Sequence, residues 1–110
     1  MRIYISSPIN ARTMDGLSAQ VLAASRAALS VILAGHTPVI PQLNVVVDGL
    51  CLDLYGGHVS GEVWQRIAKD EIARSDALLF LGLDRRTLGE LVMASERGIP
   101  ILSSLADLPF

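Results

Sequence analysis

One cysteine, Cys51, stands in 110 residues, which excludes an internal disulfide and fits a reducing, cytoplasmic setting. The two histidines, His36 and His58, do not fall with it at metal-ligand spacing, so no metal site is expected. Neither a GxGxxG nor a P-loop pattern occurs, and no cofactor is expected. Positive charge is also short: the formal net charge is −2 and no basic stripe is present, which removes the electrostatic case for nucleic acid. The opening MRIYISSPIN has too short an apolar run for a signal peptide. The most hydrophobic stretch, LSAQVLAASRAALSVILAG, is broken by Gln20, Arg26 and serines. It reads as a buried helix and not as a membrane span.

What remains is a globular balance, with 51% hydrophobic and 18% charged residues, enough for one domain over residues 1–110. RIYIS at 2–6 predicts a first strand that Pro8 ends. Asp15 is the expected cap of a helix over about 16–34, which Gly35 closes. TPVIP is a second strand, and residues 42–59 read as a long connection, functional or mobile. Ser60 starts a helix with an apolar stripe at Trp64, Ile67, Ala68 and Ile72. ALLFLG is a strand buried on both faces, and IPIL follows the last helix, which ends at Gly98. Strand and helix alternation of this kind predicts an α/β fold, a Rossmann-like three-layer domain with a mostly parallel sheet. Four to five strands are expected, with the order 2-1-3-4 and helices on both faces.

Ligands of such sheets bind beyond the carboxyl ends of the strands, where the order reverses. The loop after the first strand brings Ser6, Ser7, Ile9, Asn10 and Arg12 to that edge, just before a helix N-terminus. Hydroxyls, amides and a helix dipole suit an anion such as phosphate, and equally suit a plain polar turn. The loop after the third strand brings Asp84 and Glu90, with Arg85 and Arg86 between them. Thr87 and Glu90 have the spacing of a capping box, in which Glu90 would reach back to the Thr87 amide. A first-turn carboxylate would also have its pKa lowered by the helix dipole. Asp70 sits between Arg66 and Arg74 at i±4, as in surface ion pairs. Trp64 reads as core or as a platform for a ligand base, and Tyr4 as half-buried with a hydroxyl seeking a partner.

IYISSPI, GHTPVIP, KDEIARSDALLFLG and ELVMA…GIPI follow one another along nearly the whole chain. In this arrangement the sequence resembles the nucleoside 2-deoxyribosyltransferase-like superfamily, which includes nucleotide N-glycoside hydrolases. The resemblance implies that Glu90 is a nucleophile, that Asp84 orients it and that the Tyr4 hydroxyl steadies it. It also implies that Asp70 contacts the base or sugar and that Ser7 and Asn10 lie near a 5′-phosphate if one is present. Three places depart from the family pattern: Ser7-Pro8, Val92, and Arg85-Arg86-Thr87-Leu88-Gly89 before Glu90. The expected activity is cleavage or transfer of the N-glycosidic bond of a nucleoside or nucleoside 5′-monophosphate. The monophosphate is favoured because Arg12, Arg85 and Arg86 flank the site. The alternative is a non-catalytic module that binds a nucleotide or sugar phosphate. Surplus apolar residues at 45–55 and in the tail at 105–110 predict a homodimer or higher homo-oligomer.

Overall fold

Alternation along RIYIS sets the architecture. The computed structural model describes residues 1–109, and the last residue of the apolar tail, Phe110, lies outside them. Strand β1 (Arg2–Ser6) sits inside a four-stranded sheet with β2 (Thr37–Val39), β3 (Ala77–Phe80) and β4 (Ile101–Leu102). The order is β2-β1-β3-β4 and every pairing is parallel. This is the expected order, with the smaller of the expected strand numbers. Helix α1 (Met14–Leu33) joins β1 to β2, and α2 (Asn44–Tyr55) and α3 (Gly61–Ala73) lie between β2 and β3. Helix α4 (Arg85–Glu96) joins β3 to β4.

Successive side chains of a strand point to opposite faces, so β1 and β3 feed two cores. Ile3, Ile5, Ala77 and Leu79 pack with Ala27, Ala28 and Val31 of α1 and with Leu108. Tyr4 and Leu78 face the other way, onto Ile72 of α3 and Ala94 of α4. Ser6 shares the Tyr4 face by the same two-residue period, and its register partner on β3 is Phe80. β1 thus turns two hydroxyls in succession toward the α3–α4 side.

Helix α1 starts earlier than expected. Thr13, with an extended backbone, is its cap and accepts the Gly16 N–H at 3.1 Å. Asp15 is already helical and adds only first-turn charge. By length and composition α1 could cross a membrane, and it lies here along the sheet. Ala24, Ala27, Ala28 and Val31 are buried there, while Leu22, Leu29, Ile32 and Leu33 on its outer side are exposed.

The connection at 42–59 is mostly helix. Consecutive valines at 45–47 and Gly49 have poor helix propensity and hid α2 from a reading by composition. Gly56, at φ 75°, ends α2 in the left-handed conformation that glycine adopts freely. No residue of α2 is buried, so local packing contributes little to holding it.

The loops after β1 and β3 touch closely. A Cβ at Gly82 would lie 2.8 Å from both Cγ and Cδ of Pro8, and neither rigid partner can yield. Gly82→Ala is expected to destabilise the protein by about 1–3 kcal/mol, the usual cost of overpacking. A lowered urea midpoint at unchanged slope measures it, and an unmoved midpoint would show that the two loops part without cost.

Candidate active site

Asp84 organises the start of α4. Its extended backbone makes it the N-cap, and its carboxylate accepts the Thr87 N–H at 2.7 Å. The Thr87 hydroxyl accepts the Asp84 N–H at 2.7 Å, closing a reciprocal capping box. The expected box of Thr87 with Glu90 is therefore displaced by one turn. Asp84 takes the N-cap role expected of Thr87, and Thr87 takes the role expected of Glu90 three residues further on. Glu90 is relieved of that role and faces the sheet.

Glu90 is only 2% exposed. Its Oε1 accepts the Ser6 hydroxyl at 2.8 Å. Its Oε2 accepts the Tyr4 hydroxyl and, at 3.0 Å, Nη1 of Arg86 one turn earlier on α4. Arg86 also donates through Nη2 to the Ser7 carbonyl. Burial pushes the Glu90 carboxyl above its ordinary pKa, with Asp84 adding to the rise. Arg86, Tyr4 and Ser6 oppose it. The expected lowering by the helix dipole does not govern, because that effect fades beyond the first turn and Glu90 lies past it. Tyr4 is pushed up as well, by burial first and then by the Glu90 charge. It stays a neutral donor.

Glu90 and Tyr4 border a cavity of about 780 Å³ beyond the carboxyl ends of β1 and β3, a volume in the range of small-molecule sites. Asp84, Arg85, Arg86 and Met93 close one side. Trp64, Ile67, Ala68 and Glu71 of α3 line another, one face at helical spacing. Asn44, Val45 and Asp48 of α2 supply the third, with Ile9 and Asn10 at the mouth of the first loop. Asp48 accepts His58 Nδ1 at 2.7 Å and the Val59 N–H at 2.8 Å, tying α2 to the loop before α3. The His58 contact, with the Val59 amide second, lowers the Asp48 pKa.

The structure brings together Glu90, Tyr4, Ser6, Asp84, Ile9, Asn10 and Trp64. It does not bring Asp70 with them. Asp70 lies on the outer surface and pairs with Arg74 at 3.3 Å, because α3 turns Trp64, Ala68 and Glu71 inward instead. Glu71 pairs with Arg2. Asp84 makes no hydrogen bond to Glu90, so it acts on that carboxylate through charge alone.

The expected phosphate cradle is not assembled. Ser7 is buried, and Arg12 is not among the residues that line the cavity. The Asn10 and Ala11 N–H groups both donate to Gln20 Oε1, at 2.9 and 3.0 Å, and Gln20 Nε2 donates to Asn10 Oδ1. Arg86, expected to flank the site for a phosphate, is the cation on Glu90. Its i−4 spacing from Glu90 was the available signal, as the i+7 spacing from Trp64 was for Glu71. Asp48 carries no signal in the sequence, because residues 42–59 lack the pattern of a helix.

Fold and site define a Rossmann-like α/β protein with a buried carboxylate facing an open cavity at the switch point of its sheet. The solved structure of a 2-deoxyribosyltransferase from the psychrotolerant bacterium Bacillus psychrosaccharolyticus is similar, with a TM-score of 0.60. The likeness covers 92% of this chain and 69% of that one at 20% identity. This chain has the nucleoside 2-deoxyribosyltransferase-like fold. No sequence-family model and no curated protein sequence matches it.

A raised pKa in the folded state means that the Glu90 contribution to stability is complete below its unfolded value, 4.5. It is lost as pH rises through the folded value. Thermal melts of wild type and Glu90→Gln across this window should therefore converge or cross, with wild type losing ground as pH increases. A constant difference between the two would show that Glu90 titrates alike in both states.

Proposed function

We propose that this protein cleaves or transfers the N-glycosidic bond of a nucleoside, with Glu90 as the nucleophile. The observation that carries this reading is a carboxylate held on both oxygens by Tyr4 and Ser6 at the edge of a cavity large enough for a nucleoside. Loss of a base from an N-glycoside develops positive charge at the anomeric carbon, which an adjacent carboxylate stabilises. The carboxylate can also attack that carbon, giving a glycosyl-enzyme that water or a second base resolves. Tyr4 and Ser6 supply orientation in this scheme, and the Trp64–Ile67–Met93 walls supply an apolar seat for the base. The fold likeness to a 2-deoxyribosyltransferase supports the same chemistry.

The substrate is a nucleoside with a free 5′-hydroxyl. Of the four carboxylates lining the cavity, Glu71 pairs with Arg2 and Glu90 with Arg86, which leaves Arg85 against Asp48 and Asp84, so a phosphate dianion meets no net positive charge there. The first-loop amides that would receive it are already bound to Gln20. A second reading, a non-catalytic module that binds a nucleotide or sugar phosphate, is favoured by one fact. Arg86 occupies the same Glu90 oxygen as Tyr4 and leaves the carboxylate almost fully covered.

Incubation with nucleosides and their 5′-monophosphates, followed by chromatography of the free base, separates these readings. Base release from the nucleoside in preference to the monophosphate, abolished in Glu90→Ala and Glu90→Gln, is expected. Full activity in Glu90→Gln would remove the nucleophile, and equal turnover of both substrates would remove the exclusion of phosphate. Binding without any release of base would favour the second reading.

The chain is also proposed to form a homodimer or higher homo-oligomer. Leu22, Leu29, Ile32 and Leu33 of α1, and Val46, Val47, Leu50, Leu54 and Tyr55 of α2, are all exposed. So much apolar surface on two helices is characteristic of an interface. Light scattering at micromolar concentration should give at least twice the chain mass of 11.8 kDa. A monomer would show that α2 covers the cavity without a partner.

A further inference from the structure

Gln42 lies in the short 3-10 turn (Pro41–Leu43) after β2 and is fully buried without lining the cavity. A buried primary amide is costly unless its groups are hydrogen-bonded. Nε2 uses both hydrogens, donating to the Ile5 carbonyl at 3.0 Å and to the Ser7 carbonyl at 3.2 Å. Oε1 has no partner among the described residues. A leucine would fill similar volume without an orphaned acceptor, so filling space does not account for a glutamine at this position. The two donated bonds do. The Ser7 carbonyl they reach also accepts Arg86 Nη2, and Arg86 Nη1 holds Glu90 at 3.0 Å.

The geometry points to Gln42 as a positioning residue for Glu90, acting through the Ser7 carbonyl and the Arg86 guanidinium. The inference rests on the role proposed above for Glu90, and it concerns a residue that touches no substrate. Gln42 fixes the end of β1, the end of β1 anchors one arm of Arg86, and the other arm meets the carboxylate. The remaining charged or titratable groups facing Glu90 are Tyr4 from β1 and Asp84 from the start of α4, with the Glu71–Arg2 pair behind Tyr4. Arg86 is the cation in direct contact. Loosening its anchor therefore weakens the main charge that opposes the rise in the Glu90 pKa.

The test is the titration of the Glu90 carboxyl carbon by NMR in wild type and in Gln42→Met, which keeps length and removes both donors. The midpoint should rise by about one pH unit, the lower end of what a nearby opposite charge supplies. A simple staple on β1 would lower stability and leave the midpoint in place, and that result overturns the assignment. Gln42→Met takes one donor from each of two carbonyls, those of Ile5 and Ser7, so a measurement on an intact core accompanies it. In Arg86→Gln the side-chain amide nitrogen of Gln42 should shift its resonance, because the two residues share one carbonyl, and an unmoved resonance also overturns the link. With a nucleoside substrate, Gln42→Met should lower kcat at unchanged KM and displace the acid limb of the pH profile upward. A wild type that releases no base refutes the N-glycoside reading, while the titration still decides the role of Gln42.

Discussion

A carboxylate taken out of water is the constraint on which the rest of this structure depends. An unpaired buried charge costs several kcal/mol, so Glu90 can lie at 2% exposure only with donors on both oxygens. Tyr4 and Ser6 provide them because a strand repeats every second residue. That period works only if β1 is internal to the sheet, and the order β2-β1-β3-β4 makes it so. The helix carrying Glu90 must then begin one turn early, which the Asp84–Thr87 box secures. Sheet order, strand register and helix cap all converge on a single side chain.

Two electrostatic effects compete at that side chain, and their sizes decide between them. A helix N-terminus contributes roughly 0.3–1 kcal/mol, and only within the first turn. Removing a carboxylate from water costs more than that, so burial wins, and the pKa of Glu90 is raised. Arg86 recovers part of the loss and in doing so covers an oxygen that a nucleophile would use. The same contact that makes an ionised Glu90 tolerable also restrains it. Any substrate that reaches the carboxylate has to displace or rearrange the guanidinium, which is partly exposed and has an alternative anchor at Ser7.

The sheet was legible in the sequence because its strands are short apolar runs separated by clear helix signals. ALLF and IYIS needed no tertiary information to be recognised as buried strands. The candidate site was legible in part, since Tyr4 lies within β1 while Asp84 and Glu90 cap and occupy the helix that follows β3. The errors came from choices between near-equivalent local rules. Thr87 and Asp84 are both acceptable caps, and only the path of the chain after Gly82 selects Asp84. Asp70 and Glu71 are adjacent acids on α3, about 100° apart around the helix axis. Which of them faces the cavity depends on how α3 is rotated against α4, a packing fact that spacing alone leaves open. Gln42 gave no local signal, because its partners are the carbonyls of another strand.

Helix α2 presents the remaining physical problem of the fold. Twelve residues are too few for a stable isolated helix in water, and none of them is buried. Its fixed points are the 3-10 turn containing Gln42 at one end and the Asp48 contacts to His58 and Val59 in the middle. Asn44, Val45 and Asp48 nevertheless form one wall of the cavity. A wall held so lightly becomes definite only when something packs on its outer side or fills the cavity beneath it. The exposed Val46, Val47, Leu50 and Leu54 suit the first and the apolar cavity lining suits the second. Both draw on the same hydrophobic free energy, about 25 cal/mol per Å² removed from water. Assembly and ligand binding would therefore order the same helix, and each would lower the cost of the other.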